Sequence, residues 1–422
     1  MQEKLVATLT NVNLWAAIIA SIVIIALGYT LLKINWFKKE WKPALIGVVM
    51  KVALPALALV GFMKTTSIAQ LKEQGIVLGI AFAFYILLCL VSWLWIRFMP
   101  NKTPKSVENA SENTVLGQVS DTVTINDSRY RAMVMWMLLI FGSTTFFGMP
   151  IIQSLYNKGG LIAANVWNIP YRIFLYSYCF MQMKGLKFDK ENVKKSLKTT
   201  FLNPIVICTF VGLILWLTQL IPGAGVTAKD IDIIMKLENG NAIDAVKYST
   251  FGNNFEKIYT GSDNLNYVFN NAKGLYVTTT IKPAGWFEWS TTMPYFYKFI
   301  SILGSLCSPL IWLAIGMTLA TSGIKEAARD KWVWIYSLIK MIVIPVIIFF
   351  IFWGLNHAGQ VTKNVAIAMV IFAATPPATV AVGFAISEDK CARFASGASA
   401  LSTLLAVVVM PIWIVICELA IK

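Results

Sequence analysis

Apolar residues fall along this chain in blocks of about twenty, not at the short periods of half-buried helices or strands. Twenty residues of α-helix at about 1.5 Å each span the roughly 30 Å of a bilayer's hydrocarbon. The blocks predict spans near 13–32, 43–63, 76–98, 132–154, 159–183, 201–221, 296–320, 331–355, 364–387 and 394–420. The expected fold is therefore an all-α membrane protein of ten transmembrane helices. Two connections are long. Residues 99–130 are rich in Ser, Asn and Thr and read as a disordered polar loop. Residues 222–295 are polar but carry Tyr, Phe and Trp, and are expected to form a small cap outside the bilayer.

Charge gives the orientation. The loops after the odd-numbered spans hold 20 Lys and Arg, against six on the opposite side once the 222–295 insert and Lys298 are set aside. Short basic loops stay in the cytoplasm. Both termini and the insert are then extracellular, and the protein is expected in the plasma membrane. Ten helices with both ends on one side suit two copies of a five-helix unit, the second inverted. Leu139-Ile-Phe-Gly-Ser-Thr144 resembles Val370-Ile-Phe-Ala-Ala-Thr375, and Asn165, Asn168 and Arg172 align with Ser396, Ser399 and Thr403 at the same offset. Residues 1–183 are read as the first repeat, with the cytoplasmic loop 99–130. Residues 184–200 form a basic cytoplasmic linker, and 201–422 the second repeat, with the insert 222–295.

Composition agrees: 57% of residues are hydrophobic and 14% charged, where a soluble protein carries about 25% charged. The net charge of +15 sits in the short loops, so it reflects membrane orientation and gives no nucleic-acid footprint. The six cysteines show no metal-site spacing, and His357 is the single histidine. No His-based triad or metal centre can be assembled, and no phosphate-binding loop is present. The chain reads as a non-enzyme that needs no cofactor.

Inverted-repeat carriers bind solute near the midplane, where helices are broken and backbone groups are released. Span four holds Gly142 through Pro150, with Ser143, Thr144 and Gly148. Span nine holds Thr375, Pro376, Pro377 and Thr379. Proline removes a donor and clashes with the carbonyl four residues back, so both runs are expected to unwind. Three cations lie within spans, Lys51, Arg172 and Lys340, against no deeply placed acid. Such residues are costly in a membrane and point to function. Asn165, Asn168 and Arg172 share one helix face, an arrangement suited to a carboxylate. Lys51 and Lys340 have the alternative of reaching toward the membrane edge. The expected substrate site is Ser143, Thr144, Asn165, Asn168, Arg172, Lys340, Thr375 and Thr379, around the breaks at Gly148–Pro150 and Pro376–Pro377.

Several short runs occur in a specific order: Phe147-Gly-Met-Pro-Ile151, Tyr156-Asn-Lys-Gly-Gly160, Asn203-Pro204, Gly316-Met-Thr-Leu-Ala320, Lys340-Met-Ile-Val-Ile-Pro345, Ala373-Ala-Thr-Pro-Pro-Ala378 and Ser402-Thr-Leu-Leu405 before Pro411. Together they resemble the auxin efflux carrier family of plant PIN-FORMED carriers and bacterial permeases. The resemblance implies a scaffold and a transport domain, crossed broken helices four and nine, and organic-anion transport by an elevator-like movement. Small dicarboxylates such as malate or malonate are the substrates it suggests. The chain departs from the family at Ser143-Thr-Thr145, where Asn-Thr-Gly is usual, and in the 222–295 insert. The competing readings are a sodium- or proton-coupled symporter and a membrane sensor using the insert. The expected partners are a small organic anion and the lipid bilayer, with a homodimer left open.

Overall fold

The computed structural model describes residues 10, 12–98, 128–156, 159–186, 191–192, 194, 198, 201–221, 224–225, 229–237, 241–249, 252, 255–281, 284–321, 323–388 and 390–422. Most of the polar loop 99–130, much of the basic linker, and Asn157 and Lys158 lie outside the described residues.

In chain order the helices are α1 (Val12–Lys33), α2 (Trp41–Phe62), α3 (Ile68–Phe98), α4 (Ser128–Ile140), α5 (Met149–Leu155), α6 (Gly160–Phe174) and α7 (Pro204–Thr218). They continue with α8 (Pro294–Thr321), α9 (Lys331–His357), α10 (Lys363–Ala373), α11 (Thr379–Ser387) and α12 (Ala392–Ala420). Five of these, α2, α3, α8, α9 and α12, are long and apolar enough to cross a membrane. Helix α3 begins at Ile68, well before the expected 76, and so takes in Glu73, which is buried.

Proline shapes the long helices without ending them. Wide π-helical turns occupy Val49–Ala53, Thr144–Gly148, Leu175–Cys179 and Ile339–Val343. All but Leu175–Cys179 are followed at once by a residue and then a proline: Pro55, Pro150 and Pro345. The ring displaces the carbonyl four residues earlier, and a widened turn absorbs the displacement.

The chain forms two compact units. The first comprises residues 1–46, 76–203 and 308–422. Here α1 and the second half of α8 cross backbone against backbone. A Cβ on Gly28 would lie 2.4 Å from the Leu313 carbonyl oxygen, and one on Gly316 would lie 2.0 Å from that of Ile25. Only glycine fits at either place. Tyr85 anchors α3 among aromatics: its ring stacks 5.9 Å from Phe141, and its hydroxyl accepts from Trp167 Nε1 at 3.1 Å.

The second unit comprises residues 47–75 and 204–307. Gly212 of α7 lets Phe62 of α2 pack directly on the helix backbone. The insert departs from the all-α expectation. Strands β1 (Lys229–Lys236), β2 (Ala242–Ser249), β3 (Ile258–Gly261), β4 (Asn266–Asn270) and β5 (Leu275–Thr278) form an antiparallel meander in that order. A parallel bridge between Leu237 and Tyr276 brings the sheet's two ends together, so it curls toward a small barrel. Its core is Met235, Ala245 and Tyr267. The β-branched and aromatic runs Tyr-Val-Phe and Leu-Tyr-Val, bounded by Asn- and Gly-containing turns, are the strand signal. The barrel's foot is tied to its own unit: Glu288 accepts from Thr65 N at 3.1 Å and from the Thr65 hydroxyl, and Trp286 Nε1 donates to Thr218 Oγ1 at 2.9 Å.

Candidate functional site

The first unit contains two chain breaks that meet. Helix α4 ends at Ile140, and helical structure resumes at Thr144 in the π-turn that leads into α5. Helix α10 ends at Ala373 and α11 starts at Thr379. Between them Ser143 N donates to Pro376 O at 2.6 Å, and Ala378 N donates to Phe141 O at 2.8 Å. Gly142 and Pro377 form an isolated antiparallel bridge. Each break thus satisfies backbone groups of the other, which buried polar groups require.

Residue choice permits so close a crossing. A Cβ on Gly142 would lie 2.4 Å from Thr375 Oγ1 and 3.0 Å from Lys340 Nζ. Gly148 similarly presses on the ring of Phe372. Thr375 Oγ1 donates to Phe372 O at 2.7 Å, capping the last turn of α10. The open end of α4 is capped from α9: Tyr336 Oη donates to Leu138 O at 3.2 Å, and Lys340 Nζ donates to Leu139 O at 2.9 Å. These two lie four residues apart, hence on one face. A cation at a helix C-terminus also offsets the negative end of the helix dipole.

Helix α6 presents the polar stripe expected of it. Asn165 and Asn168 are fully buried, and Arg172 is 4% exposed. Asn168 Oδ1 accepts from Thr144 Oγ1 at 2.7 Å, so the stripe reaches the crossing. Tyr171 and Tyr176 lie close to Arg172.

The expected residues therefore divide. Ser143, Thr144, Asn165, Asn168, Arg172, Lys340, Thr375, Pro376 and Pro377 are buried in one unit, at the crossing or along the α6 stripe that joins it at Thr144. Thr379 is exposed at the start of α11 and does not join the buried group. Pro150 lies within the helical run that starts at Thr144, its clash taken up by the π-turn Thr144–Gly148, so the break in span four precedes it. Lys340 does not reach toward a membrane edge: it is buried and has a protein partner. Lys51 is exposed. The capping by Tyr336 and the tyrosines beside Arg172 were not read from the sequence; the Tyr336–Lys340 spacing was the available signal.

Two helix N-termini, at Thr144 and Thr379, meet two C-termini here. The five long apolar helices, with the family match that follows, are those of a helical membrane transport protein. Residues 286–414, less than half of the chain, match the family of membrane transport proteins to which the transport domain of auxin efflux carriers belongs. A comparison with curated proteins gives no match.

Proposed function

We propose that the protein is a secondary carrier of a small organic anion, whose carboxylate binds beside the crossing within reach of Arg172 and the amides of α6. The observation that carries this is the Thr144–Asn168 bond, which joins the Asn165–Asn168–Arg172 stripe to the paired breaks. An arginine grips a carboxylate bidentately, and the amides and hydroxyls supply further donors. Lys340 contributes charge while holding α4. Ser143, Thr144 and Thr375 line the crossing, and Thr379 marks a helix start beside it.

In this reading ten helices form two inverted five-helix repeats, with both termini and the insert outside the plasma membrane. Transport proceeds by alternating access of elevator type, one unit carrying the crossing. The test is binding. Malate and malonate should raise the thermal midpoint of the purified protein, while neutral analogues of similar size should not. A charge-assisted hydrogen bond contributes about 1.5–3 kcal/mol, so a folded Arg172→Gln variant should bind about tenfold more weakly or worse. Normal anion affinity in that variant would make the arginine structural.

A further inference from the structure

Cation–aromatic pairs among the described residues all fall at the helix ends assigned above to the cytoplasm, from Lys33 over Tyr29 to Lys390 over Tyr130. They are densest at the starts of α4 and α9. The Arg131 guanidinium lies 5.0 Å from the centre of the Trp332 ring, and Lys331 Nζ lies 5.8 Å from it. Lys390 Nζ lies 5.6 Å from the ring of Tyr130, the neighbour of Arg131. Among the described residues no ion pair engages Arg131, Lys331 or Lys390. Of the adjacent acids, Asp330 Oδ1 accepts from Trp332 N at 2.8 Å as a helix cap, and Glu388, 3.6 Å from Lys184, also acts on Lys390.

Neither helix gains from these cations. A positive side chain in the first turn opposes the helix dipole, so Arg131 is unfavourable where it stands, while Lys331 adjoins the Asp330 carboxylate that caps α9. Indole and phenol rings settle at the headgroup level of a bilayer. We propose that Arg131, Lys331 and Lys390, framed by Trp332 and Tyr130, bind the phosphate of an anionic phospholipid of the cytoplasmic leaflet. The tryptophan lies along the acyl boundary, and the cations face the headgroup. This surface is separate from the crossing and does not depend on what the carrier transports. Each cation near an anionic membrane surface raises affinity about fivefold.

The test is native mass spectrometry of the full-length protein in detergent with equal amounts of phosphatidylglycerol and phosphatidylcholine. The wild-type protein should retain phosphatidylglycerol preferentially. The double variant Arg131→Gln, Lys331→Gln should lose that preference by on the order of tenfold, and Lys390→Gln by a smaller factor. Lys273→Gln, in a turn of the insert, should keep it. Thermal midpoints in phosphatidylcholine alone establish that the variants fold. Equal retention of the two lipids by the wild type, or undiminished preference in the double variant, would overturn the proposal. So would displacement of phosphatidylglycerol by millimolar inorganic phosphate, since the site would then read a free anion.

Discussion

Replacing Gly142 by alanine tests the crossing at its tightest point. The new Cβ would lie 2.4 Å from Thr375 Oγ1, about 1 Å short of the 3.4 Å at which ordinary contact begins. The Thr375 hydroxyl cannot retreat freely, because it donates to Phe372 O at 2.7 Å. Lys340 Nζ, 3.0 Å away, is the end of a flexible chain and can yield by a few tenths of an ångström. Overpacking of this kind costs about 1–3 kcal/mol. A Gly→Ala change returns about 0.4–1 kcal/mol by restricting the unfolded chain. Gly142→Ala should therefore destabilise by about 1–2 kcal/mol. Thr375→Ala alone should cost about 1 kcal/mol, the value of its hydrogen bond. In the Thr375→Ala background the obstructing oxygen is gone, and Gly142→Ala should be nearly neutral. The assay is a double-mutant cycle on thermal unfolding of purified protein, with binding of malate as a second readout. A Gly142→Ala variant as stable as wild type, or one carrying the same penalty in both backgrounds, would refute the close crossing.

Replacing Pro376 and Pro377 together by alanine should restore helical hydrogen bonding between α10 and α11 and lower transport; unchanged flux would leave the prolines as packing residues. Cysteines placed at Lys273, exposed in a turn of the insert, and at Lys195, in the linker and outside the described residues, should react with an impermeant maleimide from opposite faces; labelling of both from one face would contradict the topology. In the insert, the Tyr267 hydroxyl at 2.5 Å and the Leu265 N–H at 3.0 Å both donate to Asp263 and hold its carboxyl below the usual carboxylate range. Because that value is depressed on folding, the contribution is present above about pH 4, the unfolded value, and is lost as pH falls through the folded one. Resistance of the insert to an acid-active protease should follow that profile, and Asp263→Asn should flatten it.

The sequence reached some of this architecture through residues whose chemistry is local. Pro376 and Pro377 act on their own backbone, so the break between α10 and α11 was readable. Asn165, Asn168 and Arg172 share a face by helical spacing alone. Span four was harder. Pro150 drew attention, but the break falls at Gly142–Ser143, because the π-turn before the proline absorbs its strain within a continuous helical run. Thr379 was grouped with Thr375 by proximity in sequence. The extended path through Ala378 carries it out to the surface. The capping of α4 by Tyr336 and Lys340 joins residues about two hundred positions apart, and no local pattern specifies that pairing. The insert's strands were signalled by short β-branched and aromatic runs that the longer apolar blocks overshadowed.

Flux tests the central claim most directly. Purified protein reconstituted into liposomes should move a labelled organic anion such as malate down its gradient, and unlabelled carboxylates should compete. A folded Arg172→Gln variant should lose about tenfold or more of that flux at subsaturating substrate. Transport of a neutral solute with no response to carboxylates, or full anion flux in Arg172→Gln, would contradict the account.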